Sequence, residues 1–175
     1  EWQKQGKNEL YISVNISAKD FYYMDVYKTI TTLVEKYGII PKTLKLEITE
    51  TAIMTGISGE LEILEQFRNY GFQVEIDDFG SGYSSLNTLK DMDVDVLKID
   101  MGFLRTTKSD RIQRSMSILN NIIDLSKTLG LSVITEGVET KEQVTALTKM
   151  GCRIYQGYYF SKPIPIEEFE NTYLK

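Results

Sequence analysis

A chain of 175 residues, 42% hydrophobic and 26% charged, is long enough for one domain with a sizeable core, and its apolar runs are far shorter than the ~20 residues of a spanning helix. Its formal charge of −5 argues against a DNA or RNA duplex as partner, which would need a basic face. With no histidine and only Cys152 as a cysteine, it excludes Ser-His-Asp and Cys-His catalysis, His-ligated zinc, a thiolate metal site and an internal disulfide. The lone cysteine and the lack of a visible leader predict a reducing, cytoplasmic setting. Any metal must be held by Asp, Glu, Asn or carbonyl oxygens, hard donors that suit Mg²⁺, Mn²⁺ or Ca²⁺.

The predicted elements alternate. Glu1–Gly6 read as the tail of a helix. Leu10–Asn15 reads as a strand rich in β-branched residues, and Phe21–Tyr37 as a helix stopped by Gly38. Leu44–Thr49 is a second strand. Ser58 is placed to cap a helix over Glu60–Tyr70. Gln73–Asp77 is a third strand, Ser84–Lys90 a short helical turn and Val94–Asp100 a fourth strand. Asp110 opens a long helix that ends at Leu129–Gly130. Leu131–Thr135 is a fifth strand. Thr140 and Gln143 form a capping box for a helix ending at Met150–Gly151. Arg153–Gln156 is a sixth strand and Glu167–Tyr173 a last helix.

Strands alternating with helices predict an α/β fold with a mainly parallel sheet, either doubly wound or a barrel. Six strands fall short of the eight of a (β/α)₈ barrel. The expectation is a TIM-like barrel incomplete at the N-terminus, lacking roughly 60 residues at about 30 per βα unit. Residues 1–175 then form the C-terminal portion of one domain.

The polar residues that stand out all end strands: Asn15, Glu47 and Glu50, Asp77 and Asp78, Lys98 and Asp100, Glu136 and Glu139, and Gln156. In a parallel barrel these ends share one rim, where active sites are built. Singly, several have plainer readings. Glu139 can support the next helix, Asp100 can cap a loop, Asn15 with Ser17 can form a turn, and Glu50 can face solvent. Asp77-Asp78 is harder to read that way. Adjacent carboxylates at a core edge raise each other's pKa unless a cation lies between them, and a two-metal site needs such a pair. Lys98, inside an apolar strand, needs a partner: an ion pair with Asp77 or Glu47, or a water or phosphate oxygen to orient.

Six ordered motifs then resemble one family. Val14-Asn15-Ile16-Ser17, Glu47-Ile48-Thr49-Glu50, Asp77-Asp78-Phe79-Gly80-Ser81-Gly82-Tyr83-Ser84-Ser85-Leu86, Leu97-Lys98-Ile99-Asp100, Glu136-Gly137-Val138-Glu139-Thr140 and Gln156-Gly157-Tyr158 are similar to those of EAL-domain proteins. The resemblance implies hydrolysis of cyclic-di-GMP to linear pGpG with two divalent cations, Mg²⁺ or Mn²⁺, that lower the pKa of the attacking water. It implies metal ligation by Asn15, Glu47, Asp77 and Glu136, with Asp77 bridging to a second metal that Asp78 also binds. Lys98 would orient the water and Glu50 would hold the loop Phe79–Ser85. Glu139 and Gln156 would line the substrate. The Glu-Ala-Leu segment that names the family, with a metal-ligand glutamate and a nearby arginine, is not in this chain. Weak or absent turnover is therefore expected, and an exposed seam predicts a homodimer or strand exchange. Sensory or GGDEF domains are the expected company in a parent protein. Two other readings stand beside this one: a non-catalytic cyclic-di-GMP sensor, and an unrelated Mg²⁺-dependent barrel of enolase type.

Overall fold

The computed structural model describes residues 2–54, 59–81, 89, 92–105 and 109–174. A 3-10 turn at Trp2–Gln5 leads into β1 (Ile12–Ile16), then α1 (Ala18–Tyr23) and α2 (Val26–Tyr37). Next come β2 (Leu44–Thr49), the short α3 (Glu50–Met54), α4 (Glu60–Tyr70) and β3 (Gln73–Phe79). β4 (Val96–Ile99) runs into a 3-10 turn at Met101–Phe103, followed by α5 (Ser109–Thr128) and β5 (Ser132–Thr135). α6 (Lys141–Met150), β6 (Ile154–Tyr155) and α7 (Ile166–Tyr173) follow. No described helix is long and apolar enough to cross a membrane.

The helix expected over Phe21–Tyr37 is two helices. Ser17 caps α1 in a box with Asp20, and Asp25 caps α2 by accepting from the Lys28 backbone N–H at 2.9 Å. Two acidic residues at cap spacing outweigh the continuous helical pattern. The C-cap at Gly38 (φ 61°) and the capping box at Thr140 are present as read. α3 was not expected, because five residues are too few to show a period. Ser58 and most of the turn expected at Ser84–Lys90 lie outside the described residues.

The six strands pair in chain order, β1-β2-β3-β4-β5-β6, and every pair is parallel. A doubly wound sheet reverses its order partway; an unbroken sequence is the order of a (β/α)₈ barrel. Among the described residues the sheet is not closed, so β1 and β6 each keep an unpaired edge.

Alternation along the strands divides two environments. Leu46, Ile48, Val74, Ile76, Leu97 and Ile99 are fully buried, packed with Val34, Leu64, Phe67, Leu119 and Ile123 of the helices. The intervening positions are Lys45, Glu47, Glu75, Asp77 and Lys98, so the other face carries charge. Its deeper layer is a buried ion pair, Lys45 Nζ to Glu75 Oε1 at 2.9 Å, with the Tyr11 ring 3.7 Å from the ammonium. The next layer, two residues on, is the candidate site. The chain ends meet outside the sheet: Trp2 Nε1 donates to Glu170 at 2.6 Å, and Lys7 Nζ donates to the Leu174 carbonyl at 2.7 Å.

Phe67 anchors the helix-side core, its ring centroid 5.4 Å from that of Tyr27 and 5.7 Å from that of Phe72. Phe67→Ala is expected to cost about 3–5 kcal/mol of stability, through lost burial and the cavity left behind. Denaturant unfolding would measure it, and a loss below about 1 kcal/mol would contradict this packing.

Candidate metal centre

Successive strand residues point to opposite faces, so Asp77 and Asp78 should diverge. They converge instead. The register between β3 and β4 shifts between Ile76 and Phe79, and Asp78 takes φ 55°, in the left-handed region. Asp tolerates this better than most residues, but it still carries strain, of the kind that collects at functional sites. The twist brings one carboxylate oxygen each of Asp77, Asp78 and Glu136 within 4.8 Å of one another. Glu136 directly follows β5.

Lys98 lies beneath this cluster. Its Nζ is 2.8 Å from Glu47 Oε2, 2.8 Å from Asp77 Oδ1 and 2.8 Å from Glu136 Oε1. An ammonium has three N–H donors, and three carboxylates take them up. Burial alone would lower the Lys98 pKa, but hydrogen bonds to Asp77, Glu136 and Glu47 outweigh it and hold it above the ordinary lysine value. Lys98 is thus a permanent cation and cannot serve as a general base near neutral pH.

One ammonium does not balance the carboxylates around it. Burial pushes the Glu136 pKa up; Lys98 opposes this, and repulsion from Asp77 and Asp78 adds to it. Asp78 is also raised, by burial and then by repulsion from Asp77 and Asp100, against the pull of Lys98. Ionised carboxylates held together at such cost are what a divalent cation would relieve. The donor set is all oxygen and largely anionic. It fits a hard divalent cation, with Asp77, Asp78 and Glu136 as the group able to hold it.

The rim loops are interlocked. Glu50, buried at the start of α3, accepts from the Gly80 backbone N–H at 3.3 Å. Asp100 caps the Met101–Phe103 turn by accepting from the Gly102 N–H at 2.7 Å. That turn is wedged between Gly80 and Gly137. A Cβ on Gly80 would strike the Phe103 ring, and one on Gly137 (φ 64°) would strike Met101. Gly137→Ala is therefore expected to cost about 1–3 kcal/mol and to displace Glu136. Weaker Mn²⁺ binding and a lower melting temperature would report it; unchanged values for both would show that the wedge is soft.

Beside Glu136 opens a cavity of about 860 Å³ whose wall includes Arg105, Glu139 and Gln156. Arg105 Nη2 lies 3.3 Å from Glu139 Oε1. Asn15 pairs in register with Glu47 on the sheet-edge strand, but it is exposed. The structure thus gathers Glu47, Asp77, Asp78, Lys98 and Glu136 closely. Glu50 lies behind the loop at Gly80, Glu139 and Gln156 are out on the cavity wall, and Asn15 is at the open edge. Sequence reasoning missed Arg105 and the Lys45–Glu75 pair. Arg105 follows the Lys98 strand within its rim loop, a position where a cation could have been flagged. Lys45 precedes Glu47 by one alternation step, and this placed it on the same face.

The chain is similar in sequence and fold to several proteins that bear on this site. The cyclic di-GMP phosphodiesterase NbdA of Pseudomonas aeruginosa is 37% identical over 171 residues, 96% of this chain and 22% of NbdA. The solved P. aeruginosa MucR phosphodiesterase, in complex with c-di-GMP, matches with TM-score 0.86 at 36% identity, over 96% of this chain and 67% of that one. Klebsiella pneumoniae BlrP1 with manganese and cyclic-di-GMP matches with TM-score 0.82 at 28% identity, over 93% of this chain and 41% of that one. The chain spans 21% to 24% of the length of the curated relatives YkoW, MucR and NbdA. The EAL domain family matches residues 1–163, and the chain belongs to that family.

Proposed function

We propose that this chain carries the site for metal-dependent hydrolysis of cyclic-di-GMP to pGpG. The observation that carries the reading is the convergence of Asp77, Asp78 and Glu136 on one spot above the buried Lys98 cation. Asp77, Asp78 and Glu136, with Glu47 alongside and Asn15 at the edge, would hold Mg²⁺ or Mn²⁺. When bound, such cations supply Lewis acidity toward the phosphoryl oxygens and lower the pKa of the attacking water. Lys98 stays protonated, so its part is to donate. Shifting one N–H from a carboxylate to the water or a phosphoryl oxygen would orient attack on phosphorus opposite the leaving sugar oxygen. Glu50 would keep the Gly80 loop in place, and Glu139 and Gln156 would face the substrate.

Asn15 is exposed because the sheet is open beside β1, so turnover by the chain alone is expected to be slow. A second copy of the chain at that edge is the proposed route to a homodimer. GGDEF or sensory domains in the parent protein, and a cytoplasmic location, remain part of the same proposal.

The test is incubation of the purified chain with cyclic-di-GMP and Mn²⁺ or Mg²⁺, followed by chromatography for pGpG. Formation of pGpG that stops on chelation supports hydrolysis. Binding without cleavage moves the assignment to a cyclic-di-GMP sensor, the reading that the open edge beside Asn15 favours. Neither binding nor cleavage overturns both.

A further inference from the structure

Cyclic-di-GMP has two phosphodiesters, each with a full negative charge, and hydrolysis needs only one at the carboxylate cluster. A cation elsewhere on the rim would suit the charge of the other. Among the described residues, two cationic side chains line the cavity beside Glu136: Arg105 and Lys162. Lys162 is engaged over the Tyr158 ring, 5.6 Å from its centroid. Arg105 stands on the loop that follows the Lys98 strand, and its ion pair with Glu139 ties that loop to the one carrying Glu136. The same two loops meet closely where Met101 approaches Gly137, and the Arg105 backbone N–H donates to the Met101 carbonyl at 3.2 Å. The pair is exposed, 60% at Arg105 and 48% at Glu139, so exchanging the carboxylate for a phosphate costs little. Guanidinium presents a planar fork of donors that matches two phosphate oxygens.

We infer that Arg105 binds the second, uncleaved phosphodiester and selects a two-phosphate dinucleotide over one with a single phosphate. This rests on the phosphodiesterase reading, and the experiment separates the two. Calorimetry in Ca²⁺ compares the full chain with R105A and R105K, using cyclic-di-GMP and GpG, which keeps both guanosines but has one phosphodiester. R105A is expected to lose about tenfold to a hundredfold in affinity for cyclic-di-GMP and none for GpG, with R105K in between. Mn²⁺ affinity, measured without nucleotide, stays unchanged in both variants if the site is intact. Equal losses on the two ligands would mean that Arg105 only supports the loop, and unchanged cyclic-di-GMP affinity would mean that it does not touch phosphate; either result overturns the inference. A parent chain that binds no cyclic-di-GMP overturns the phosphodiesterase reading and this inference with it.

Discussion

Asp77→Asn is expected to abolish Mn²⁺ binding and to reduce pGpG formation by on the order of a thousandfold or more. The amide keeps the shape of the side chain and can still accept from Lys98, 2.8 Å away. What it loses is the negative charge shared among Asp77, Asp78 and Glu136. It also removes repulsion at Asp78, where Asp77 is the largest charge raising the pKa. The variant should therefore fold at least as well as the parent, and the loss can be read as loss of a ligand. Titration of Mn²⁺ by calorimetry beside a thermal melt distinguishes these. Unchanged Mn²⁺ affinity with an unchanged melt would remove Asp77 from the site.

Lys98→Met is the second large effect, and it acts on stability first. The side chain is nearly the same length, but Glu47, Asp77 and Glu136 lose their shared cation. Breaking a buried charge cluster by deleting one sign costs about 3–5 kcal/mol, or roughly 10 °C in melting temperature for a chain of this size. Mn²⁺ is expected to return part of that loss, because a divalent cation relieves the same repulsion. The deficit should also narrow as pH falls from neutrality. The Glu136 pKa is already raised by burial against the pull of Lys98, and without Lys98 it rises further, so the folded variant binds more protons and gains from acid. A melting temperature that is unchanged at neutral pH, or a deficit that widens in acid, would contradict this account. Turnover should fall about a hundredfold or more even with Mn²⁺, since the orienting donor is gone.

The parallel character of the sheet and the charged strand ends were legible because both depend on local pattern, whereas the alternation of strands with helices alone left the strand order open between a doubly wound sheet and a barrel. LKLEIT and QVEID alternate polar with apolar residues, and that alternation places Glu47 and Asp77 on one face. The convergence of Asp77 with Asp78 was visible only as an adjacency. The positive φ and shifted register that make it real come from the pairing of β3 with β4, which no local pattern reveals. Lys98 was expected to find one carboxylate partner, and the structure gives it three, because three different strand ends deliver them. The break at Asp25 was missed because a cap and a mid-helix Asp differ only in the backbone around them. Arg105 escaped notice because its significance lies in the cavity across the loop.

The unbroken strand order bears on how this chain is made. Each strand pairs with the one just before it in sequence, so no part of the sheet waits for a distant partner. Such neighbour-to-neighbour growth suits a chain emerging from its N-terminus, where each βα unit can dock on the edge already formed. The contact between Trp2 and Glu170 is different: it joins residues 168 positions apart and becomes available only when α7 has been synthesised. β1 keeps its unpaired edge and an exposed Ile12 even with α7 in place, so this contact ties the chain ends together without covering the sheet edge. That edge is open to mispairing with another strand before and after α7 arrives, so a chaperone or a partner strand would have the same surface to cover at either stage.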